Sequence, residues 1–176
     1  MKRLYNKTFI GSRDTSGLTA GTGITSGTGT IYSSMVERSA DLAKTTIIMD
    51  LTGLRSTALG DIIGVDGTSL PCHIGQIDDD YSGTVFAGTI TCLEAPTGGD
   101  PDLDLYSADE GTGTEDTAIS TLTETQLVDS GDHTLGSVKV LTAFPTAGQY
   151  LYLVAGATTD ADYTAGKLLI ELYGTL

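Results

Sequence analysis

Two short Asp-Ser/Thr-Gly stretches are the parts of this chain that look most like catalytic machinery. One spans residues 129–131, after two apolar residues, and a similar one spans residues 14–17. Paired stretches of this kind supply the two carboxylates of aspartic proteases, which share one proton. However, the stretch at residues 14–17 has no buried strand before it. Too few residues follow the stretch at 129–131 to form half of a protease. Asp-Ser-Gly also makes turns, so turns are the prediction at both places.

The histidines and cysteines lack the spacing of a metal site or a hydrolase. Cys72 and His73 are adjacent, whereas Cys92 and His133 lie far along the chain. Zinc needs three or four ligands, often in CxxC or HxxxH pairs, and neither pair occurs here. A GxSxG nucleophile elbow is missing as well. A disulfide between the two cysteines is disfavoured, because the predicted hairpin places Cys72 opposite residue 88 and nothing indicates export. We expect no enzyme and no catalytic residues.

Clustered carboxylates are better candidates for a ligand set, because Ca²⁺ binds six to eight oxygen atoms. Acidic residues cluster at positions 78–80, 100–104, 109–110 and 160–162. None of these clusters has the spacing of an EF-hand loop, and solvated acidic turns would explain them equally well. Calcium therefore remains an alternative, with Asp100, Asp102 and Asp104 as its best ligands. No other cofactor is expected.

Positive charge is concentrated at the N-terminal end of the chain. Residues 1–55 hold seven of the nine Lys and Arg and carry a net +3, while the remaining 121 residues carry −17. An acidic body repels nucleic acid and anionic membranes, whereas a flexible basic segment seeks an acidic partner. We therefore predict partner binding, without nucleic acid or membrane, by the four basic residues that precede the first acid: Lys2, Arg3, Lys7 and Arg13.

The domain organisation follows from where the apolar residues begin. Residues 1–29 are rich in Gly and Thr and offer almost nothing to bury, so they predict an extended basic arm. Residues 30–176 predict one β-sandwich domain. No apolar run approaches the ~20 residues that span a bilayer. No apolar region follows the first basic residues either, so a secretory signal is not expected.

The residue pattern of positions 30–176 predicts short strands separated by turns. With 23 glycines, abundant Thr and no long 3.6-residue periodicity, the chain favours strands over helices. Residues 70–77 and 84–94 predict a hairpin, and residues 117–128 fit either a strand or a poor helix. Residues 149–155 are apolar on both faces, which predicts a central strand. The remaining predicted strands are residues 30–37, 44–51, 103–106, 133–144 and 167–173. We predict an all-β fold, an antiparallel two-sheet β-sandwich of the jelly-roll kind with an extended N-terminal arm.

Four stretches give the chain a family resemblance. They are the Gly/Thr-rich arm, residues 47–54 (Ile-Ile-Met-Asp-Leu-Thr-Gly-Leu), residues 61–64 (Asp-Ile-Ile-Gly), and the ending Gly-Lys-Leu-Leu-Ile-Glu-Leu-Tyr-Gly at 166–174. In these the chain resembles the capsid decoration, or cement, proteins of tailed bacteriophages, of the marine and cyanophage type. The resemblance implies a homotrimer of β-sandwiches seated on the major capsid protein. It implies no active site.

We therefore expect a structural virion protein that stabilises a phage capsid by bridging major capsid subunits. It would be made in the host cytoplasm and would lie on the outer surface of the capsid. The alternative is a carbohydrate- or calcium-binding adhesion module, in a head fibre or a tail-associated protein.

Overall fold

Two antiparallel β-sheets packed face to face make up most of the structure, a computed structural model that describes residues 17–176. Strands account for 48% of the residues and helices for 7%, which confirms the predicted all-β sandwich. The strands are β1 (Ile31–Ser39), β2 (Leu42–Asp50), β3 (Arg55–Ser56), β4 (Gly75–Gln76), β5 (Thr84–Thr97), β6 (Leu103–Ala108), β7 (Glu124–Val128), β8 (Val138–Val140), β9 (Tyr150–Ala155), β10 (Ala161–Asp162) and β11 (Ala165–Thr175). Single helical turns occur at α1 (Thr22–Thr25), α2 (Asp79–Ser82) and Ile119–Thr121.

The last strand of the chain lies in the middle of the larger sheet. That five-stranded sheet has the order β1-β2-β11-β5-β8, and the sheet opposite it has the order β4-β9-β6-β7. Strands β3 and β10 form a small separate pair. None of the helical turns within residues 17–176 has the length and apolar character needed to cross a membrane.

The core lies between the two sheets and follows the two-residue period of the strands. On β2 and β11 every second residue, including Ile47 and Ile170, points inward and is fully buried. These side chains pack against Leu105 of β6 and Leu153 of β9. Strand β9 lies between β4 and β6, and five of its six residues are buried. The prediction of a central strand at residues 149–155 is therefore confirmed.

Residues 17–29 belong to the body, so the predicted boundary after residue 29 is wrong for this part of the arm. The segment runs beside residues 71–73, and the amide of Gly21 donates a hydrogen bond to the carbonyl oxygen of His73 at 2.8 Å. Ile24 is fully buried in the main core. The glycines allow this close packing, because a Cβ at Gly23 would lie 2.6 Å from the carbonyl oxygen of Leu70. The rest of the predicted arm, residues 1–16, lies outside the described residues.

The predicted hairpin between residues 70–77 and 84–94 is also wrong. Strand β4 pairs with β9 in one sheet, whereas β5 pairs with β11 and β8 in the other. The acidic stretch between them forms α2, which Asp78 caps by accepting a hydrogen bond from the amide of Asp80 at 2.8 Å. Gly83 then reverses the chain at φ +63°, which takes the chain from one sheet to the other.

Two further stretches differ in extent from their predicted elements. Within residues 133–144 only Val138–Val140 is a strand, because the amide of Ser137 closes a turn on the carbonyl oxygen of Thr134. Residues 117–128, which fitted either a strand or a helix, contain both. A helical turn at Ile119–Thr121 precedes strand β7.

Candidate interaction surface

The basic residues predicted to bind a partner, Lys2, Arg3, Lys7 and Arg13, lie outside the described residues. With Asp14 they give residues 1–16 a net charge of +3. Residues 17–176 contain five Lys and Arg against 22 Asp and Glu, a net −17. Residues 17–55 add no net charge, so the +3 of the N-terminal part lies in residues 1–16.

The outer face of the five-stranded sheet carries a row of side chains that continues across all of its strands. Its members are opposite one another in the strand register and therefore share a face. The row consists of Ser33, Ile48, Leu169, Thr91 and Val138. Ile48 is 41% exposed and Val138 56% exposed, so no other part of the described chain covers them. A neighbouring row ends on Val140, which is 65% exposed. We call the outward-pointing side chains of β1, β2, β11, β5 and β8 together the outer face.

Ion pairs flank the central row of the outer face on both sides. On one side Lys44 pairs with Glu171, which raises the pKa of the Lys44 ammonium. On the other, Lys167 Nζ lies 2.7 Å from Glu94 Oε2 and 3.1 Å from Asp50 Oδ2. These two partners raise the pKa of Lys167. Burial would raise the pKa of Asp50, but hydrogen bonds from Thr52 and the Lys167 charge bring it below its usual value.

The outer face is therefore much closer to neutral than the rest of the body. It carries four carboxylates (Glu37, Asp50, Glu94, Glu171) and two ammonium groups (Lys44, Lys167), a net −2 of the body's −17. Contiguous exposed apolar groups on a water-soluble domain commonly mark an interaction site. This face combines such groups with low charge, so it is the best candidate for a protein contact within residues 17–176.

The carboxylates proposed as calcium ligands brace loops instead of converging on one point. Asp100 Oδ1 accepts a hydrogen bond from the amide of Asp102 at 3.0 Å, and its Oδ2 accepts one from Ala157 at 2.7 Å. Asp104 Oδ1 accepts a hydrogen bond from the amide of Ser130 at 2.8 Å. Burial raises the pKa values of Asp102 and Asp104, and neighbouring carboxylates add to the effect. Across residues 17–176, no three Asp, Glu, His or Cys side chains form a group suited to a metal ion.

Asp160 and Asp162 also have a local partner. Both bind the guanidinium of Arg55, at 2.7 and 2.9 Å, and so join β3 to the chain beside β10. These hydrogen bonds raise the pKa of Arg55. This exposed ion pairing explains why the two aspartates lie close together, and no bound cation is needed to explain it.

Cys72 and His73 are adjacent, but within residues 17–176 the histidines and cysteines join no group of three potential metal ligands. Both cysteine thiols are free and buried, and burial raises the pKa of Cys72 to about 11. Burial lowers the pKa of both His73 and His133. The ring of His133 contacts the carbonyl oxygen of Leu103 at 3.0 Å inside the body. These residues therefore contribute to packing in a neutral state.

The Asp-Ser-Gly stretch at residues 129–131 forms an irregular connection after β7, where a turn was predicted. Asp129 is exposed, and Gly131 has φ +58°. Its predicted counterpart, Asp14, lies outside the described residues. A protease dyad needs two buried carboxylates that share a proton, and an exposed Asp129 does not meet this requirement.

One open groove, of about 610 Å³, lies where the described chain begins. Residues 17–22 form one wall, and Tyr81, Tyr150 and His73 are on the other. The His73 and Tyr150 rings meet edge to face, with their centroids 4.9 Å apart. Gln76 and Asp78 add exposed polar groups. The groove could hold a small polar ligand against aromatic rings.

Comparison with known proteins provides no relative. The chain matches no protein-family model, no curated protein and no solved structure.

Sequence reasoning did not identify the outer face, although the chain contains a signal for it. Strands β2 and β11 each contain an apolar doublet, residues 47–48 and 168–169. Because side chains alternate between faces, one member of each doublet must point away from the core. Ile48 and Leu169 are those members, and the register brings them directly opposite each other.

Proposed function

We propose that this protein is a structural virion component that decorates a phage capsid and stabilises it by bridging major capsid subunits. Its role is mechanical and not catalytic. The basic segment of residues 1–16 anchors the protein to the shell, and the acidic body lies on the outer surface as part of a homotrimer. The resemblance in residues 47–54, 61–64 and 166–174 led to this proposal, and the charge distribution supports it.

The observation that carries the proposal is the separation of charge within one chain. A segment with +3 is joined directly to a body with −17. The segment is attracted to an acidic surface, while the bodies repel one another wherever their acidic surfaces meet. Such a chain binds through one end and leaves most of its surface in water. Several anchors on one oligomer would strengthen each other, because each bound anchor raises the effective concentration of the next.

A binding experiment with phage heads assembled without this protein tests the proposal. The full chain should sediment with the heads and saturate at a fixed number of copies, and added salt should weaken the binding. Replacement of Lys2, Arg3, Lys7 and Arg13 by Gln should abolish it. The matched control replaces two body cations, Arg38 and Lys139, and should bind like the wild type. Equal binding by the arm variant would contradict the proposal.

The groove beside Tyr81 and Tyr150 favours a second candidate, a carbohydrate-binding adhesion module. Aromatic rings next to polar side chains suit ligands that have both apolar and hydroxyl-bearing faces. This candidate predicts a signal on a glycan array that Tyr81→Ala removes and Tyr173→Ala retains. A blank array with the folded full chain would eliminate it.

A further inference from the structure

We propose that the outer face is the surface through which copies of this chain associate with one another. The inference rests on the homo-oligomer in the proposed function and specifies the contact that holds it together. The occupant of the face is thus a second copy of the chain, and the major capsid protein binds elsewhere.

The size of the face suits such a contact. Five strands spaced by about 4.8 Å cover a width of roughly 24 Å, and nine residues extend about 30 Å along a strand. The product is about 700 Å², close to the ~800 Å² per partner buried in a stable protein–protein interface. The central row from Ser33 to Val138 would lie in the middle of this area, where interfaces are most apolar.

The charge of the face identifies the partner. Two bodies of −17 repel each other, and they can approach most easily where the local charge is low. The outer face holds only −2, and both of its lysines already pair with carboxylates of the same copy. A basic partner would gain more from the remaining surface, which carries the other −15. A second copy offers the same row of three apolar and two hydroxyl side chains and brings only its own −2 to the contact.

The pattern of the face allows neighbouring copies to contact one another through it. Ile48 and Leu169 lie at the centre, with the Lys44–Glu171 pair on one side and the Lys167 cluster on the other. Contact between neighbouring copies across this face buries the central row, and the carboxylates beside it, Glu171 and Glu94, enter the contact already paired with lysines of the same copy. Breaking such a pair on desolvation would cost more than burying it intact.

Light scattering after size-exclusion chromatography of the full chain provides the test. The wild type should have a mass of two or more copies, and Ile48→Lys should lower it to the 18.2 kDa of one copy. Val138→Lys, at the other end of the same row, should do the same. The matched control is Leu59→Lys, which changes a leucine that is 66% exposed and lies outside the sheets. It should keep the wild-type mass.

The outcomes separate this inference from the proposed function, because the measurement uses no capsid. Circular dichroism and thermal unfolding first establish that each variant is folded, and the two positions provide independent readings. A monomeric wild type at its highest soluble concentration would overturn the inference. So would folded Ile48→Lys and Val138→Lys variants that keep the wild-type mass. An oligomer that fails to bind heads would leave the inference standing and contradict the proposed function.

Discussion

The Tyr163 hydroxyl donates a 2.8 Å hydrogen bond to the main-chain carbonyl oxygen of Asp100, and both residues are 1% exposed. This bond connects the chain beside the last strand to the loop before β6. Burial also raises the pKa of the Tyr163 hydroxyl well above its ordinary value, so the group is a neutral donor at neutral pH.

The variant Tyr163→Phe is expected to lower the free energy of unfolding by about 1–2 kcal/mol, because the buried carbonyl oxygen loses its donor. For a chain of this size the corresponding fall in melting temperature is about 3–6 °C. Calorimetry measures both quantities. Tyr173→Phe is the control, since that ring lies partly exposed on the outer face and should change the melting temperature little. Equal effects of the two variants would contradict the role of the hydrogen bond.

Calcium is expected to leave the stability of the protein unchanged. The carboxylate oxygens of Asp100 accept two main-chain hydrogen bonds, and Asp104 accepts one from Ser130 and one from Gln126. These bonds already compensate the charges, whereas a ligand that binds the folded state would raise its stability by mass action. Melting temperatures in calcium and in EDTA should therefore coincide. A saturable increase in calcium that Asp100→Asn removes would restore the calcium-binding alternative.

The contribution of Glu115 to the free energy of unfolding should fall as the pH rises. Burial raises the pKa of this carboxyl group, so the folded chain retains a proton at pH values where the unfolded chain has released it. Its contribution to stability therefore falls between the unfolded pKa, about 4.3, and the higher folded value. Glu115→Gln removes the charge, so it should be more stable than the wild type at neutral pH. The difference should disappear below about pH 4.

Denaturation by urea at several pH values measures this difference. Asp129→Asn, at an exposed position, is the control and should differ little from the wild type at any pH. A stability difference for Glu115→Gln that is the same in acid and at neutral pH would show that packing, and not charge, is responsible.

The two thiols should be unreactive in the folded protein. Burial raises the pKa of Cys72 to about 11 and also raises that of Cys92. At pH 8 a thiol with a pKa near 11 has roughly 0.1% thiolate, the nucleophilic form. Ellman's reagent should therefore detect almost no thiol in the native protein and two per chain in guanidinium chloride. Rapid reaction of either cysteine without denaturant would contradict the buried positions.

The sequence predicts the sandwich because the strand signals are local. The alternating pattern around Ile47 and Ile170 sets both the strands and the face they bury, and the doubly apolar stretch at 149–155 places β9 inside its sheet. The predictions that were wrong concern features that depend on contacts between distant parts of the chain. Ile24 enters the core only because glycines let its segment approach residues 70–73. Asp78 caps a helical turn where a hairpin was predicted.

The candidate surface was less predictable for a related reason. The doublets at residues 47–48 and 168–169 indicate that an apolar side chain points outward on each strand. Only the register shows that Ile48 and Leu169 are neighbours and that Val138 continues the same row. The basic residues of segment 1–16 remain a prediction from sequence.

Electron microscopy of phage particles that carry the protein provides the decisive observation for capsid decoration. We expect the body of residues 17–176 as density at regular positions on the outside of the shell, contacting more than one major capsid subunit. Residues 1–16 should provide the connection to the shell. Particles with an undecorated shell and the protein in the tail or the interior would contradict the proposed function.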